Sequence, residues 1–258
     1  MGTKLETAYM PPILHPYSSL STPCQHLFLG NYSSLYTRNF TKTLAFWILC
    51  DKMGAQNRKL RRLEMKYMGS KARHAKELLP IILKDHKPEM WYVEPFVGGA
   101  NMIDKVDPLI APKRLGCDSN EYLIAMWQAA QQGELTYDYV DPGLYADVRG
   151  NKDDYQDGFV GWVAHCCSYN GKWFGGFAGK LVTKEGNTRN YQDEAARAVQ
   201  KQVALLGETV FKHKSVFDLS FPKPCTIYCD PPYAGTTKYK DEFDHERFYD
   251  WCRERKKE

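Results

Sequence analysis

No Cys-x-x-Cys pair with a partner histidine occurs in the 258 residues, so the usual spacing of a zinc site is missing. The eight cysteines are scattered, at positions 24, 50, 117, 166, 167, 225, 229 and 252. Those at 117, 225 and 229 fall in apolar runs and read as reduced core thiols of a cytosolic protein. Long hydrophobic runs are also absent. The longest near the start, Leu44 to Cys50, is far too short to span a bilayer. It begins too far into the chain, with no charged start and no cleavage site, to be a secretory signal. Charge of one sign is scarce as well, the formal balance being +4. The loop after the first regular strand has neither a Gly-x-Gly-x-x-Gly nor a following Gly-Lys-Ser/Thr pattern, so nothing there marks a phosphate cradle.

Aromatic residues are plentiful: six Trp, 17 Tyr and 12 Phe, against an apolar fraction of 43%. Core packing is the ordinary use of such rings; stacking on nucleobases is the sharper one. Basic residues are unevenly placed. Between Lys52 and Lys76 lie nine of them and one acid, Glu64, and Arg253, Arg255, Lys256 and Lys257 form a second cluster. Such clusters track phosphates or face solvent.

Residues 1–64 are punctuated by Pro11-Pro12, Pro16, Ser18-Ser19 and Ser33-Ser34. They hold no sustained period of 3.6 or 2, so poor order is expected, with a short helix near Lys42–Cys50. A regular pattern opens at Met65. "SKARHAKELL" from Ser70 reads as a helix capped by Ser70 and ended or kinked at Pro80. A strand at Trp91–Val93 leads into a glycine loop, Glu94 to Gly99. A second strand, Leu115–Cys117, ends in Asp118 and precedes a helix with Leu123, Met126 and Trp127 on one face. "NYQDEAARAVQKQVALLGE" is an amphipathic helix, with Asn190 as its cap and Gly207 as its stop. Strand-like segments follow at Thr209–Phe211, Ser215–Phe217 and Thr226–Cys229. Alternating strands and helices predict an α/β fold with a mostly parallel sheet covered on both faces. In such sheets ligands sit beyond the carboxyl ends of the strands, and Glu94, Asp118, Asp218 and Asp230 all fall there.

Asp118 lies twenty positions after Gly98. An acid at that offset commonly holds two ribose hydroxyls. A ligand with ribose but without phosphates suggests S-adenosylmethionine. The tetrad Asp230-Pro231-Pro232-Tyr233 fits a companion chemistry. The lone pair of an adenine N6 is delocalised into the ring and attacks poorly. A carboxylate (Asp230) and a proline-fixed backbone carbonyl (Pro231), both aimed at the amine hydrogens, would free it. Pro232 stiffens the elbow, and the Tyr233 ring stacks on the base, worth roughly 1–3 kcal/mol. A duplex substrate requires that the base be flipped out first.

"DPPY" at 230–233, "VEPFVGGANM" at 93–102 and "KYMGSK" at 66–71 resemble the three hallmark motifs of Dam-type DNA adenine N6-methyltransferases, in that family's order. "NGKWFGGF" has a counterpart in the branch found in bacteriophages and prophages. The resemblance covers about Met65 to Phe248. It implies a Rossmann-like S-adenosylmethionine-dependent methyltransferase sheet, with a small, mostly helical target-recognition insert at about 120–200. It further implies S-adenosylmethionine as cofactor, double-stranded DNA as partner, no metal, and a monomeric cytoplasmic protein of prokaryotic or phage origin.

By the same resemblance Tyr67 and Lys71 contact the methionine end of the cofactor, Lys71 pairing with its carboxylate. Glu94, Phe96 and Gly98 match the loop around it, Asp118 the ribose-binding acid, and Asp230 the catalytic acid, which also lies against the cofactor. Phe217 or Asp218 frames the cofactor's adenine. Lys172, Trp173, Lys180 and Arg189 are candidate DNA contacts in the insert, although Trp173 is the kind of residue that more often packs. Residues 1–64 have no place in the family pattern. The family also continues past the tetrad with further strands, whereas this chain ends at Glu258 in the polar "RERKKE". A sheet lacking those strands is therefore expected, with the tetrad's strand at an edge. Two rival readings are a remnant that binds cofactor or DNA without turnover, and an enzyme acting on cytosine N4, RNA adenine or a protein glutamine. Relatives of the latter kind often carry Ser or Asn in place of Asp230.

Overall fold

The computed structural model describes residues 64–233 and 243–255. The expectations for residues 1–63, for the basic run before Glu64, for Ala234 to Tyr239 and for the last two lysines lie outside them. Along the chain run α1 (Ala75–Ile82), β1 (Trp91–Glu94), β2 (Lys113–Asp118), α2 (Glu121–Gln132), α3 (Pro142–Gly150) and α4 (Asp157–Gly161). Then come β3 (Lys180–Val182), β4 (Thr188–Asn190), α5 (Tyr191–Leu206), β5 (Val210–His213), β6 (Cys225–Ile227) and α6 (His245–Arg255).

Four strands form a parallel sheet in the order β5-β2-β1-β6, as the alternating pattern predicts. Glu94 pairs with Gly116, and Asp118 with His213, so the strands end nearly level. Their carboxyl ends form one rim. β3 and β4 make a separate antiparallel pair, Lys180 opposite Asn190.

Local sequence explains the principal helices. The Asn120 side chain accepts from Leu123 N–H, and Gly133 ends α2 in the left-handed region. Asn190 caps α5 by accepting from Gln192 N–H, and Gly207 follows the last turn. The apolar face of α2 is buried: Leu123, Ile124, Met126 and Trp127 are at most 1% exposed, as is Trp162 from the insert. Burying a side chain of this kind is worth about 1.5–3 kcal/mol, so this cluster is the anchor of the fold. The other sheet face is thinner, with Val93, Leu115 and Cys117 buried beneath Trp91, Leu219 and Phe221. Buried Arg114 ties the two ends of this architecture. Its guanidinium donates to the carbonyls of Ile103 (3.2 Å), Leu205 (3.3 Å) and Leu206 (2.8 Å), supplying partners at the end of α5.

Four local expectations are corrected. α1 begins at Ala75, and Ser70 caps a preceding turn instead, its Oγ accepting from Ala72 N–H at 3.3 Å. The stretch before it stays irregular because Gly69 takes a φ of 81° and Lys71 reaches across to Asp230. Pro80 lies inside α1, which runs two residues further at the loss of one helical hydrogen bond. Ser215–Phe217 is a tight turn: Ser215 O accepts from Asp218 N–H (3.1 Å) and Ser215 Oγ from Phe217 N–H (3.3 Å). The tetrad's strand is also shorter than expected, ending at Ile227 with a last rung from Tyr228 N–H to Val93 O at 2.9 Å. Among the described residues no helix is long and apolar enough to cross a membrane.

Candidate active site

A cavity of about 350 Å³ opens at the carboxyl rim of the sheet. Tyr67, Lys71, Glu94, Phe96, Gly98, Asp118, Phe217, Asp230, Pro231, Pro232 and Tyr233 all line it. Residues spread over more than half of the chain thus converge on one concavity. Asp218 does not join them; it is exposed, because the Ser215 turn directs Phe217 and not its successor to the lining.

The wall at β1 and β2 is built from backbone. Asp118 ends β2, and its Oδ2 accepts from Gly98 N–H and its Oδ1 from Asn120 N–H, each at 3.0 Å. Burial raises the Asp118 carboxyl above its ordinary value, although these backbone bonds oppose that shift. Gly98 has a φ of 47°, and a Cβ there would lie 2.6 Å from the Tyr67 ring. The glycine therefore admits the tyrosine of the "KYMGSK" segment, a different use from close approach to a ligand. The Trp127 indole N–H donates to Gly98 O at 3.0 Å and pins the loop to the core.

Glu94 is buried at the end of β1 and accepts from the Tyr92 hydroxyl at 2.8 Å. Burial pushes its carboxyl up to about 8, with the charges of Asp104 and Asp230 adding to the rise and the Tyr92 bond opposing it. It faces the cavity as a largely neutral acid near neutral pH.

The wall at β6 is held by side chains. Lys71 Nζ donates to Asp230 Oδ2 at 2.7 Å and to Gly69 O at 2.8 Å. The Tyr233 hydroxyl donates to Asp230 Oδ1 at 3.0 Å, and the same Lys71 Nζ sits 4.9 Å from the centre of the Tyr233 ring. Burial alone would lower the Lys71 ammonium. Its contacts with Asp230 and Tyr233 outweigh that, and the net shift is upward. Tyr233 itself is 52% exposed, which leaves ring surface accessible at the rim.

The segment between α4 and β3 is keyed to this rim through a buried histidine. His165 lies in the π-helical turn Trp162–Cys166. Its Nδ1 is 3.1 Å from Gly171 O, and its Nε2 is 3.4 Å from Asn120 Nδ2. One neutral tautomer satisfies both, donating from Nδ1 and accepting at Nε2, and burial drives its pKa down to about 4. Gly171 must be glycine: its φ is 67°, and a Cβ would overlap the Lys66 carbonyl. The insert residues named from sequence are placed unevenly. Trp173 packs on Tyr122 and His165, at 5.6 and 5.4 Å between ring centroids. Arg189 is paired with both carboxylate oxygens of Glu194, at 2.6 and 2.7 Å. Lys180 is exposed, lying 4.5 Å from the centre of the Tyr139 ring, and Lys172 is half-buried. None of these four lines the cavity.

A family model of the D12 class N6 adenine-specific DNA methyltransferases matches residues 67–256. The chain belongs to this family. No curated protein matches it at a significant level. As a D12-class adenine methyltransferase it transfers a methyl group to N6 of adenine, with DNA as substrate and a methyl donor as second reactant. The enzyme's parallel α/β sheet and its rim cavity agree with the Rossmann-like fold expected of it. Among the described residues no group of three or more His, Cys, Asp or Glu stands close enough to hold a metal.

Sequence reading missed several lining residues of this methyltransferase. Asn120, which caps α2, is one of them. Phe243, Asp244 and Arg247 follow the tetrad from a separate segment. The signal for these was present in "FDHERF", an aspartate cap three residues before an arginine that opens an amphipathic helix.

Proposed function

We propose that the methyl donor is S-adenosylmethionine and that the acceptor is an adenine flipped out of double-stranded DNA into the Asp230 end of the cavity. The observation that carries this reading is the convergence of Tyr67, Lys71, Gly98, Asp118 and Asp230 on one concavity at the sheet rim. The donor set fits this cofactor. Backbone N–H groups hold both Asp118 oxygens in place, and a carboxylate has about four acceptor positions, so it can still accept from a ribose hydroxyl. Lys71 lines the same cavity with its ammonium beside Asp230 and Gly69, placed to meet a ligand carboxylate. Phe96 and Phe217 supply apolar wall for a purine, and about 350 Å³ is within the usual range of small-molecule sites.

S-adenosylmethionine would supply an electrophilic methyl whose bonding pair returns to sulfur on transfer. The protein's part is to prepare the amine. Asp230 and the Pro231 carbonyl would accept hydrogen bonds from the N6 amine and localise its lone pair, and the nitrogen would release one proton to solvent once it carries the methyl. Pro232 keeps the elbow stiff, and the Tyr233 ring offers a stacking surface to the extruded base. Lys71 and the Tyr233 hydroxyl hold the Asp230 carboxylate in a single orientation. Asp230 at the first tetrad position favours adenine over the cytosine N4 and glutamine alternatives.

Incubating the purified protein with duplex DNA and S-adenosylmethionine, and quantifying methylated nucleosides by mass spectrometry, tests this directly. N6-methyladenine is expected. Folded protein that yields N4-methylcytosine, or no modified base on any duplex, overturns the reading.

A further inference from the structure

We infer that Arg247, on a helix after the catalytic tetrad, closes the nucleobase end of the cofactor cavity and supplies the planar surface and donors that the base meets there. The inference rests on the cofactor reading above. Its starting point is the order of the rim. Phe217 follows β5 and Asp230 follows β6, at opposite ends of the order β5-β2-β1-β6. Adjacent strands are about 4.8 Å apart, so three steps separate these two ends by roughly 14 Å. The reacting methyl must be at the Asp230 end, beside the acceptor. The diol belongs with Asp118, after β2. The nucleobase then extends to the β5 end, where Phe217 is.

At that end the Phe217 ring already has partners. The Arg247 guanidinium lies 4.0 Å from its centroid. Phe217 is also near-parallel to Phe243, at 6.1 Å and 17°, and Phe243 packs edge-on against Phe96 at 5.5 Å. Phe96, Phe243, Phe217 and Arg247 thus form a continuous wall, and all four line the cavity. Asp244 sets the position of the arginine by accepting Arg247 N–H at 3.0 Å in the first turn of α6. Phe248, buried on the same helix and 5.5 Å from Phe96, fixes the helix to the wall.

The two cations of the cavity differ. Lys71 is committed to Asp230. The guanidinium of Arg247 has its ring contact and no hydrogen-bond acceptor among the described residues. A guanidinium is planar, stacks on aromatic rings and carries five donors, whereas a purine offers ring nitrogens as acceptors and two faces. A ring laid against the exposed side of Arg247 would extend the stack that Phe217 and Phe243 begin.

Titration calorimetry with S-adenosylmethionine, and with 5′-methylthioadenosine as a probe that keeps base and ribose but lacks the amino-acid end, separates the possibilities. Arg247→Ala should weaken both ligands about tenfold and by the same factor, since the lost contact is to the shared nucleoside. Arg247→Lys should recover little, because an ammonium has no plane to stack. Duplex DNA affinity of the same variants should be unchanged. Equal affinity for both ligands in the wild type and Arg247→Ala, with the melting temperature retained, overturns the inference. Loss of DNA affinity with cofactor affinity kept overturns it too, and makes Arg247 a phosphate contact. Wild-type protein that binds neither ligand overturns the cofactor reading, and the inference with it.

Discussion

Asp118 and Asp230 both stand at the carboxyl rim of the parallel sheet, one as the last residue of β2 and the other three residues past β6, yet they are held in different ways. Asp118 is fixed by two backbone amides that belong to the glycine loop and to the start of α2. Asp230 is fixed by two side chains, Lys71 and Tyr233, at the edge of the sheet formed by β6. Backbone donors cannot leave without unfolding the loop, and Trp127 pins that loop to the buried core. Side-chain donors can swing when a substrate offers better partners. The difference matches the two roles proposed above: a seat set by backbone for the cofactor, and a carboxylate oriented by side chains for the base.

The largest expected effect of breaking this comparison is at Asp230. Asp230→Ala removes the acceptor for the N6 hydrogens, and turnover should fall about 10²–10³-fold or more, with the melting temperature nearly unchanged. A variant that keeps wild-type turnover in a single-turnover assay would exclude Asp230 from the chemistry. Asp118→Ala should act on binding and folding together. It orphans the Gly98 and Asn120 amides and removes the acceptors for the diol, so S-adenosylmethionine affinity should fall about 10–100-fold and the melting temperature should also drop. If affinity measured by calorimetry survives, the ribose is held elsewhere.

The smallest effect sharpens the contrast at the strand between them. The Glu94 carboxyl is raised to about 8, from an ordinary value of 4.5. Through that window the folded state holds a proton that the unfolded state has released. The contribution of this group to stability is therefore full below about pH 4.5 and is lost as the pH rises to about 8. Glutamine keeps an acceptor for the Tyr92 hydroxyl and cannot ionise. Glu94→Gln should raise the melting temperature at pH 8 by several degrees at least and leave it unchanged near pH 4.5. Parallel melting curves for the two proteins at every pH would show that Glu94 is not held as a neutral acid.

Much of the sheet and of the Asp118 half of the site was legible in the linear chain, because short-range rules govern it. Strands β1 and β2, the Asn190 cap and the Gly207 stop depend on neighbours a few residues away. Ser215–Phe217 was misread as a strand because its apolar residues suit one, while the turn is made by Ser215 closing on Asp218. Asp218 was misplaced with it. Trp173 and Arg189 looked available for DNA, since a lone sequence does not show that one packs on Tyr122 and the other is paired with Glu194.

By itself the sequence determined the candidate motifs and their order: a carboxylate, two prolines and a ring at 230–233, an acid at 118 and a glycine loop between 94 and 99. Those are local patterns, and spacing along the chain carries them. Tertiary structure alone decided who faces whom. It paired Lys71 with Asp230 across 159 positions, seated Tyr67 against Gly98, and brought Arg247 onto Phe217 from a helix that follows the tetrad. The physical reason is that parallel strands ending level gather distant segments at one rim, where contacts follow strand order in the sheet and not order in the chain.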